Sequence, residues 1–382
     1  MKLPQGFRAV GGAAGLKRSG KPDLALVRAD DPLAWAMTNT QNELRAACVD
    51  RNREIYEAGR PVRAVVVNSG SANCATGLEG VRDNQEFAAR AGEALGGLAP
   101  CEVLTASTGI VGQRLPMDKL RAGVARFATE LGDSIDSAAR AILTTDTRTK
   151  QVAADLPGGA RIVGIAKGSG MIHPNMATML AFVTTDADVP QDWLREAWRA
   201  IVERSFNQVT VDGDTSPNDM AFVLSSKRVA ADASAFEVAL EQVAGELAQH
   251  IARDGEGATK LLTVRVEGAL SDVEARQAAR AIARSPLVKA AVHGNDPNWG
   301  RILIAAGSSG AAFEPTQATI HLQDTLVYRG APAPFDPAAL SAAMDRPDLL
   351  ITLDFAAGSG RGVAWGCDLS REYVAINADY HT

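Results

Sequence analysis

The segment that decides the fold reads Arg161-Ile-Val-Gly-Ile-Ala166, then Lys167-Gly-Ser-Gly-Met-Ile-His-Pro-Asn-Met-Ala177, then Thr178-Met-Leu-Ala-Phe-Val-Thr184. The first and third parts are short apolar runs, which predict two β-strands, and the third is apolar enough to be buried on both faces. Two glycines and a proline in the middle part predict a constrained, irregular connection. Taken alone, this pattern is also typical of an ordinary turn followed by a strand that begins with threonine.

Strand-like and helix-like stretches alternate on both sides of this segment, which predicts an α/β protein. The polar stretches 68–73 and 107–109 predict loops that follow strands. We expect one main layered core and a smaller C-terminal lobe that begins near residue 255. Helices are predicted at 83–98, 117–131, 191–206, 236–252 and 272–284, and further strands at 63–67, 102–105, 220–225, 261–266, 302–305, 318–322 and 350–355.

The composition is that of a globular protein, with 382 residues, 46% apolar residues and a net charge of −6. The acidic balance argues against nucleic-acid partners and anionic membranes, and no apolar stretch approaches the roughly 18 residues of a membrane span. The first residues carry no apolar signal segment, and the four cysteines form no closely spaced pair. A cytoplasmic protein without disulfides or a transition-metal site is therefore predicted.

Three further stretches resemble ligand-binding loops. Gly15-Leu-Lys-Arg-Ser-Gly-Lys21 has the spacing of a phosphate-binding loop, but Pro22 stands where Ser or Thr is needed, so a basic turn is predicted. The segment 212–219 alternates oxygen-bearing side chains but lacks the glycine and glutamate of a calcium loop. A turn that organises a site and a plain loop both stay open there. The polar stretch 293–301 is compatible with a site loop or a structural corner.

The central segment resembles the signature of the ornithine acetyltransferase family, the bifunctional glutamate N-acetyltransferases of arginine biosynthesis. In that family the pattern Lys-Gly-x-Gly-Met…Pro-x-x-Ala-Thr-Met-Leu holds a self-cleavage site. Residues 173 and 217 depart from the family pattern at positions without assigned chemistry. The resemblance is specific because an ordered set of further motifs carries it, at 6–9, 68–73, 76–77, 107–112, 144–147, 212–216, 254–260, 285–289, 296–301 and 376–382.

The resemblance implies an α/β fold, a layered αββα sandwich of the self-cleaving N-terminal-nucleophile aminopeptidase type with a smaller C-terminal α/β lobe. It also implies autocatalytic cleavage between Ala177 and Thr178, which gives an α chain of residues 1–177 and a β chain of residues 178–382. The small Ala177 would leave its carbonyl open to the threonine hydroxyl. Cleavage frees an α-amine, and such amines titrate at about 7.7–8.0, so part is neutral near pH 7. Thr178 then carries both nucleophile and base.

The same resemblance implies an oxyanion hole formed by the hydroxyl of Thr108 and the backbone N–H of Gly109. It also implies a pocket for small zwitterionic substrates, in which Lys167 binds a carboxylate and Glu256 binds an amino group. The residues that it assigns to this pocket are Thr144, Thr145, Lys167, Thr178, Glu256, Asn377 and Thr382.

The reaction that the resemblance implies is a ping-pong transfer of acetyl from N2-acetylornithine to glutamate through acetyl-Thr178, without a metal or bound cofactor. Some family members also accept acetyl-CoA, and assemblies of two cleaved protomers are common among them. Two alternatives stay open. One is an N-terminal-nucleophile hydrolase, in which water replaces glutamate, and the other is a binding protein whose chain is not cleaved.

Overall fold

A computed structural model gives the fold and describes residues 1–173 and 179–379. The chain forms two compact units. The first unit comprises Met1–Gly168, Asn175–Ser205 and Thr215–Leu247, and the second comprises Ser169–Pro174, Phe206–Asp214 and Ala248–Thr382. The predicted cleavage site at Ala177 and Thr178, and the predicted substrate contact Thr382, lie outside the described residues.

The first unit contains two β-sheets and their helices. In chain order its elements are β1 (Phe7–Gly12), β2 (Leu24–Ala29), β3 (Ala34–Asn39), α1 (Ala47–Glu57), β4 (Ala64–Ser71), α2 (Gly77–Ala94), β5 (Val103–Ile110), α3 (Met117–Phe127), α4 (Asp136–Ala141), β6 (Lys150–Asp155), β7 (Arg161–Lys167), β8 (Leu180–Asp188), α5 (Gln191–Arg204), β9 (Met220–Ala230) and α6 (Ala233–Arg253). The last six residues of α6 belong to the second unit. The four-stranded sheet has the order β1-β2-β4-β5, in which β4 and β5 are parallel, and the five-stranded sheet has the order β3-β9-β8-β7-β6, in which β8 and β9 are parallel.

The two sheets of the first unit share one apolar core. Val65 of β4 and Phe182 of β8 belong to the same buried cluster. Successive side chains of a strand point to opposite faces, so Val66 instead joins an outer cluster with residues of α2 and α3. The outer face of the five-stranded sheet is covered by helices as well, because Trp198 of α5 donates its indole N–H to the carbonyl oxygen of Ala221. The layers are therefore helix, sheet, sheet and helix, which confirms the predicted αββα sandwich.

The second unit has its own mixed sheet and its own apolar core. Its elements are β10 (Leu261–Ala269), α7 (Asp272–Arg284), α8 (Pro286–His293), α9 (Trp299–Gly307), β11 (Thr319–Leu322), β12 (Thr325–Arg329), α10 (Pro337–Met344), β13 (Asp348–Asp354), β14 (Gly360–Cys367) and α11 (Arg371–Asp379). The sheet has the strand order β12-β11-β13-β10-β14, and helix α7 covers it. Gly362 of β14 lets α7 approach the sheet closely, because a Cβ on it would lie 2.3 Å from the backbone nitrogen of Arg276.

One predicted strand is wrong. Residues 302–305 lie within helix α9, where Ile302, Ala305 and Ala306 are buried and Ile304 is 71% exposed. This spacing of i, i+3 and i+4 is that of a helix face. A run of four apolar residues is too short for its periodicity to separate a strand from a buried helix.

Two predicted loops are also wrong in part, because residues 68–71 and 107–109 belong to strands. β4 continues to Ser71, and β5 continues through Thr108 to Ile110. The two strands pair in parallel, with Ser69 opposite Thr108. Polar residues usually mark the ends of strands, but here the backbone ladder extends the strands through them. The predicted oxyanion residues therefore lie on a rigid element.

Candidate active site

Thr108 and Lys167, two residues of the predicted site, meet inside the first unit. Thr108 lies on β5 of one sheet, and Lys167 ends β7 of the other. The Nζ atom of Lys167 donates a hydrogen bond to Oγ1 of Thr108 at 3.3 Å, and the two residues are only 2% and 4% exposed. Since Oγ1 accepts this bond from an ammonium group, the hydroxyl hydrogen is left to donate to another acceptor. That is the role a hydroxyl has in an oxyanion hole.

Gly109 lies where only glycine fits. Its φ angle is +128°, and a Cβ on it would lie 2.4 Å from the carbonyl carbon of Gly70 on the neighbouring strand. Because neither Gly109 nor Gly70 has a side chain, β4 and β5 can approach closely beside Thr108. A larger residue at position 109 would push the strand that carries Thr108 away from its partner.

Asp146 joins the loop after α4 to the end of β7. Its Oδ1 atom accepts hydrogen bonds from Nζ of Lys150 at 2.6 Å and from the backbone N–H of Gly168 at 2.7 Å. Its Oδ2 atom accepts the backbone N–H of Thr144 at 3.0 Å. The carboxylate thus connects the predicted contact Thr144, which is half-buried, to the residue that follows Lys167. Thr145 is exposed beside it.

The charged groups around Lys167 and Asp146 shift one another's pKa values. Burial by itself would raise the pKa of Asp146, but the positive charges of Lys167 and Lys150 and the N–H of Gly168 lower it to about 2. Burial also lowers the pKa of Lys17 to about 8, with a contribution from the charge of Lys167 and opposition from Asp23. Asp146 is therefore ionised throughout the physiological pH range and offsets part of the positive charge of Lys167 and Lys150.

The Lys17 side chain explains the glycine-rich stretch at 15–21. Its Nζ atom donates to the carbonyl oxygens of Pro22 at 2.6 Å and Leu143 at 2.7 Å. The stretch is a turn, as predicted, and its lysine ties that turn to the chain just before Thr144. The spacing of a phosphate-binding loop gave no indication of this role.

Glu256 and Asn377, both predicted substrate contacts, are brought together in the second unit. Nδ2 of Asn377, on α11, donates to Oε2 of Glu256 at 3.0 Å. The backbone N–H of Glu256 donates to the carbonyl oxygen of Ser169 at 2.8 Å. A Cβ on Gly170 would lie 2.5 Å from the Glu256 carboxyl group, so glycine is required there. Residues 169 and 170 therefore lie directly against Glu256.

Asp212 fixes the chain just before the predicted cleavage segment. Its carboxylate accepts the backbone N–H groups of Met171 at 2.6 Å and Ile172 at 2.8 Å, and Met171 has a φ angle of +53°. Burial raises the pKa of Tyr373, and the negative charges of Asp212 and Glu256 raise it further. For Asp212, the structure favours the alternative of a turn that organises other residues over that of a plain loop.

The stretch 293–301 forms a structural corner between α8 and α9. The side chain of Asn298 caps α9 by accepting the N–H of Arg301, and Trp299 stacks on Tyr328 with ring centroids 5.1 Å apart. His293 lies 2.7 Å from the buried carboxylate of Asp368 through its Nδ1 atom. Of the two alternatives for this stretch, the structural one is favoured.

Sequence patterns pointed to the segments that contain Asp146, Asp212 and Lys17 but did not reveal their partners, because these include backbone groups far along the chain. Within residues 1–173 and 179–379, no cluster of three or more His, Cys, Asp or Glu side chains could hold a metal ion. In the same residues, no helix is both long and apolar enough to cross a membrane. All four cysteines are free thiols. The predicted cytoplasmic location stays a prediction.

An αββα sandwich that buries a strand hydroxyl and a strand ammonium group, with a carboxylate in a nearby loop, is suited to acyl transfer, because it offers fixed charges and donors for a developing oxyanion. The chain belongs to the ArgJ family, whose sequence profile matches residues 8–382. The family predicted from the sequence is thereby confirmed.

Relatives from several bacteria resemble the chain over its whole length. A Deinococcus radiodurans protein named arginine biosynthesis bifunctional protein ArgJ is 53% identical over 381 residues, which cover 100% of this chain and 98% of that protein. A Thermus thermophilus protein of the same name is 54% identical and covers 100% of both chains. A crystal structure of the ArgJ protein from Bacillus halodurans is 40% identical with a TM-score of 0.50, and the match covers 52% of this chain and 98% of that one.

Proposed function

We propose that the chain transfers an acetyl group from N2-acetylornithine to glutamate, with Thr178 as the nucleophile. The enzyme class predicted from the sequence, a glutamate N-acetyltransferase of arginine biosynthesis, is confirmed by family membership and by full-length relatives of about half-identical sequence. We further propose which residues carry out each step.

The observation that carries the proposal is the buried hydrogen bond from Lys167 to Thr108. When an acyl group is attacked, negative charge develops on its carbonyl oxygen. A hydroxyl polarised by an ammonium group and held on a strand is a fixed donor for that charge, and a fixed donor needs no reorganisation during the reaction. The ionised Asp146 offsets part of the positive charge of Lys167 and Lys150. The N–H of Gly109 is proposed as the second donor.

In the first half-reaction, the hydroxyl oxygen of Thr178 attacks the acetyl carbonyl and its proton passes to the α-amine of the same residue. The amide C–N bond then breaks, and the ornithine nitrogen leaves with that proton. In the second half-reaction, the glutamate amine attacks the acetyl ester, and the threonine oxygen regains a proton as it leaves. The threonine proton thus leaves on the ornithine nitrogen, and a proton from the attacking glutamate amine, passed through the same α-amine, replaces it as the ester C–O bond breaks. The proposed substrate contacts are Thr144, Thr145, Lys167, Glu256, Asn377 and Thr382.

Trapping the intermediate tests this scheme. The purified protein is mixed with N2-acetylornithine and no glutamate, and the digest is analysed by mass spectrometry. We expect one equivalent of ornithine to be released rapidly and an acetyl group to appear on Thr178. Glutamate should then remove that acetyl group and yield N-acetylglutamate. Turnover without any acetylated peptide would contradict a covalent mechanism.

Self-cleavage between Ala177 and Thr178 is part of the proposal, and it would give pieces of 177 and 205 residues from the 382-residue chain. The Bacillus halodurans chain supports it, since that chain is matched over 98% of its own length by only 52% of this one. A denaturing gel distinguishes one band near 40 kDa from two pieces. We propose an assembly of two cleaved protomers, which light scattering on the cleaved protein tests.

The hydrolase alternative is not favoured, because the full-length relatives carry the name of a biosynthetic protein. Acetate release from N2-acetylornithine without an amine acceptor would support the hydrolase instead. The relatives are named bifunctional, which supports acetyl-CoA as a second donor. Release of free CoA thiol in the presence of glutamate tests this extension of the proposal.

A further inference from the structure

Asp219 is a buried carboxyl group directly beside the residue that follows Thr178. It lies one residue before β9 and is 1% exposed. Its Oδ1 atom accepts the backbone N–H of Met179 at 2.8 Å. Within the described residues, its buried Oδ2 atom has no partner of normal hydrogen-bond geometry, although the hydroxyl and N–H of Ser216 act on the carboxyl group and lower its pKa. Burying a carboxyl group whose hydrogen-bonding capacity is not fully used costs free energy. This cost points to a function of Asp219 beyond packing.

The contact extends the pairing of two parallel strands. β8 and β9 pair from Leu180 and Met220 onward, and the N–H of Met220 donates to the carbonyl oxygen of Met179. Because the carboxyl group of Asp219 accepts the N–H of the same residue, both main-chain polar groups of Met179 are held. The strand is thus fixed up to the residue after the predicted scissile bond.

Cleavage at the proposed bond would make Thr178 a chain terminus. The first residues of a chain lose order unless they are tied down, whereas a nucleophile must be held within a fraction of an ångström of its productive position. After cleavage, the covalent link to Met179 is what remains to hold Thr178 in the chain. We propose that Asp219 is a positioning residue for Thr178 and acts through the main chain of Met179. This inference rests on the function proposed above.

The acceptor oxygen of Asp219 suggests how to test it. Burial raises the pKa of Asp219 well above its ordinary value, although the N–H of Met179 and the charge of Lys167 oppose the shift. An asparagine side chain presents a carbonyl oxygen at the place of the Asp219 Oδ1 atom, which accepts the N–H of Met179. Asp219→Asn therefore keeps the acceptor for Met179, and Asp219→Ala removes it.

Asp186 provides a matched control. Asp186 is another buried acidic residue, and it lies on β8. Its carboxyl oxygens accept the backbone N–H groups of Gln5 at 2.9 Å and Arg161 at 2.7 Å. It stands seven residues beyond Met179, or about 23 Å along an extended strand. Asp186→Ala should therefore reproduce the loss of a buried main-chain anchor without displacing Thr178.

The experiment measures the rate of self-cleavage, the kcat and KM of the cleaved fraction for N2-acetylornithine, and the thermal midpoint of each full-length variant. For Asp219→Ala we expect cleavage and kcat to fall by about 10²-fold with KM within about twofold, since displacing a reacting group by about 1 Å has such an effect. Asp219→Asn should stay within about threefold of the wild type. Asp186→Ala should lower the thermal midpoint with cleavage and kcat unchanged.

Three results would overturn the inference. They are unchanged cleavage and kcat in Asp219→Ala, equal losses of kcat in Asp219→Ala and Asp186→Ala, and an Asp219→Asn variant as impaired as Asp219→Ala. Complete loss of cleavage in Asp219→Ala supports the inference if the thermal midpoint is no lower than that of Asp186→Ala. A wild-type protein that neither cleaves nor acetylates Thr178 would instead refute the proposed function itself.

Discussion

Lys167 and Thr108 come from different β-sheets of the first unit, and their side chains form a buried hydrogen bond of 3.3 Å. They are 59 residues apart in the sequence. Neither strand by itself would give its polar side chain a partner in an apolar interior. The bond shows that the sandwich places an ammonium group and a hydroxyl group together.

Thr178→Ala should give a folded chain that is neither cleaved nor active. The substitution removes the hydroxyl that the proposal uses for both the N→O acyl shift and the acetyl transfer. A denaturing gel and intact-mass measurement check cleavage, and circular dichroism checks the fold. Thr178→Ser, which keeps a hydroxyl, should still be cleaved. Two fragments from purified Thr178→Ala would disprove autocatalysis by this residue.

Thr108→Ala should lower kcat by about 10²–10³-fold, since loss of one oxyanion donor costs roughly 2.7–4 kcal/mol in acyl transfer. KM should change little because the donor acts mainly in the transition state. Thr108→Ser should restore most of the rate. Ser107→Ala serves as the control, because the Ser107 hydroxyl donates to Asn68 instead. Steady-state kinetics that show an unchanged kcat for Thr108→Ala would remove Thr108 from the oxyanion hole.

Glu256→Gln should raise KM for N2-acetylornithine while self-cleavage continues. If Glu256 pairs with a substrate ammonium, loss of its charge costs on the order of 2–5 kcal/mol of binding. Glutamine keeps an oxygen that can accept from Asn377, so the local structure should persist. Glu372→Gln, at an exposed position of α11, is the matched control. Wild-type kinetics with both substrates would mean that Glu256 does not contact them.

Asp146→Asn should destabilise the protein in a pH-dependent way. The pKa of Asp146 is about 2 in the folded state and near 3.8 ordinarily. A carboxylate with a depressed pKa stabilises the fold above its unfolded-state pKa, and this stabilisation is lost as the pH falls through the folded-state pKa. At about 1.4 kcal/mol per pKa unit, the loss at pH 7 is about 2 kcal/mol.

Urea unfolding of wild type and Asp146→Asn between pH 7 and pH 2 measures this difference. We expect the gap in unfolding free energy to be complete above about pH 5 and to shrink as the pH approaches 2. Asp118→Asn, whose side chain is 98% exposed, should show no such gap. A gap that is independent of pH would show that the charge of Asp146 does not contribute.

Local patterns in the sequence sufficed for the elements whose periodicity is long and clear. The helix predicted at 272–284 is α7, with the same bounds, because a continuous apolar stripe and a serine cap act over neighbouring residues. The predicted strand at 302–305 was wrong, because four apolar residues carry no usable period and the cap at Asn298 decides for a helix. Residues 107–109 were predicted as a loop because their partner strand is not visible in their own sequence.

The sequence by itself determined the family, the enzyme class and the segment proposed for cleavage, since ordered motifs and residue chemistry are properties of the chain. Only the tertiary structure decided which polar groups meet. Asn377 reaches Glu256 across 121 residues, and Gly168 donates to Asp146 across 22. Such pairs depend on strand register and on how helices and sheets pack, which arise from the burial of the whole apolar core. No local pattern encodes them, because a buried charge becomes stable only where distant backbone groups and opposite charges converge on it.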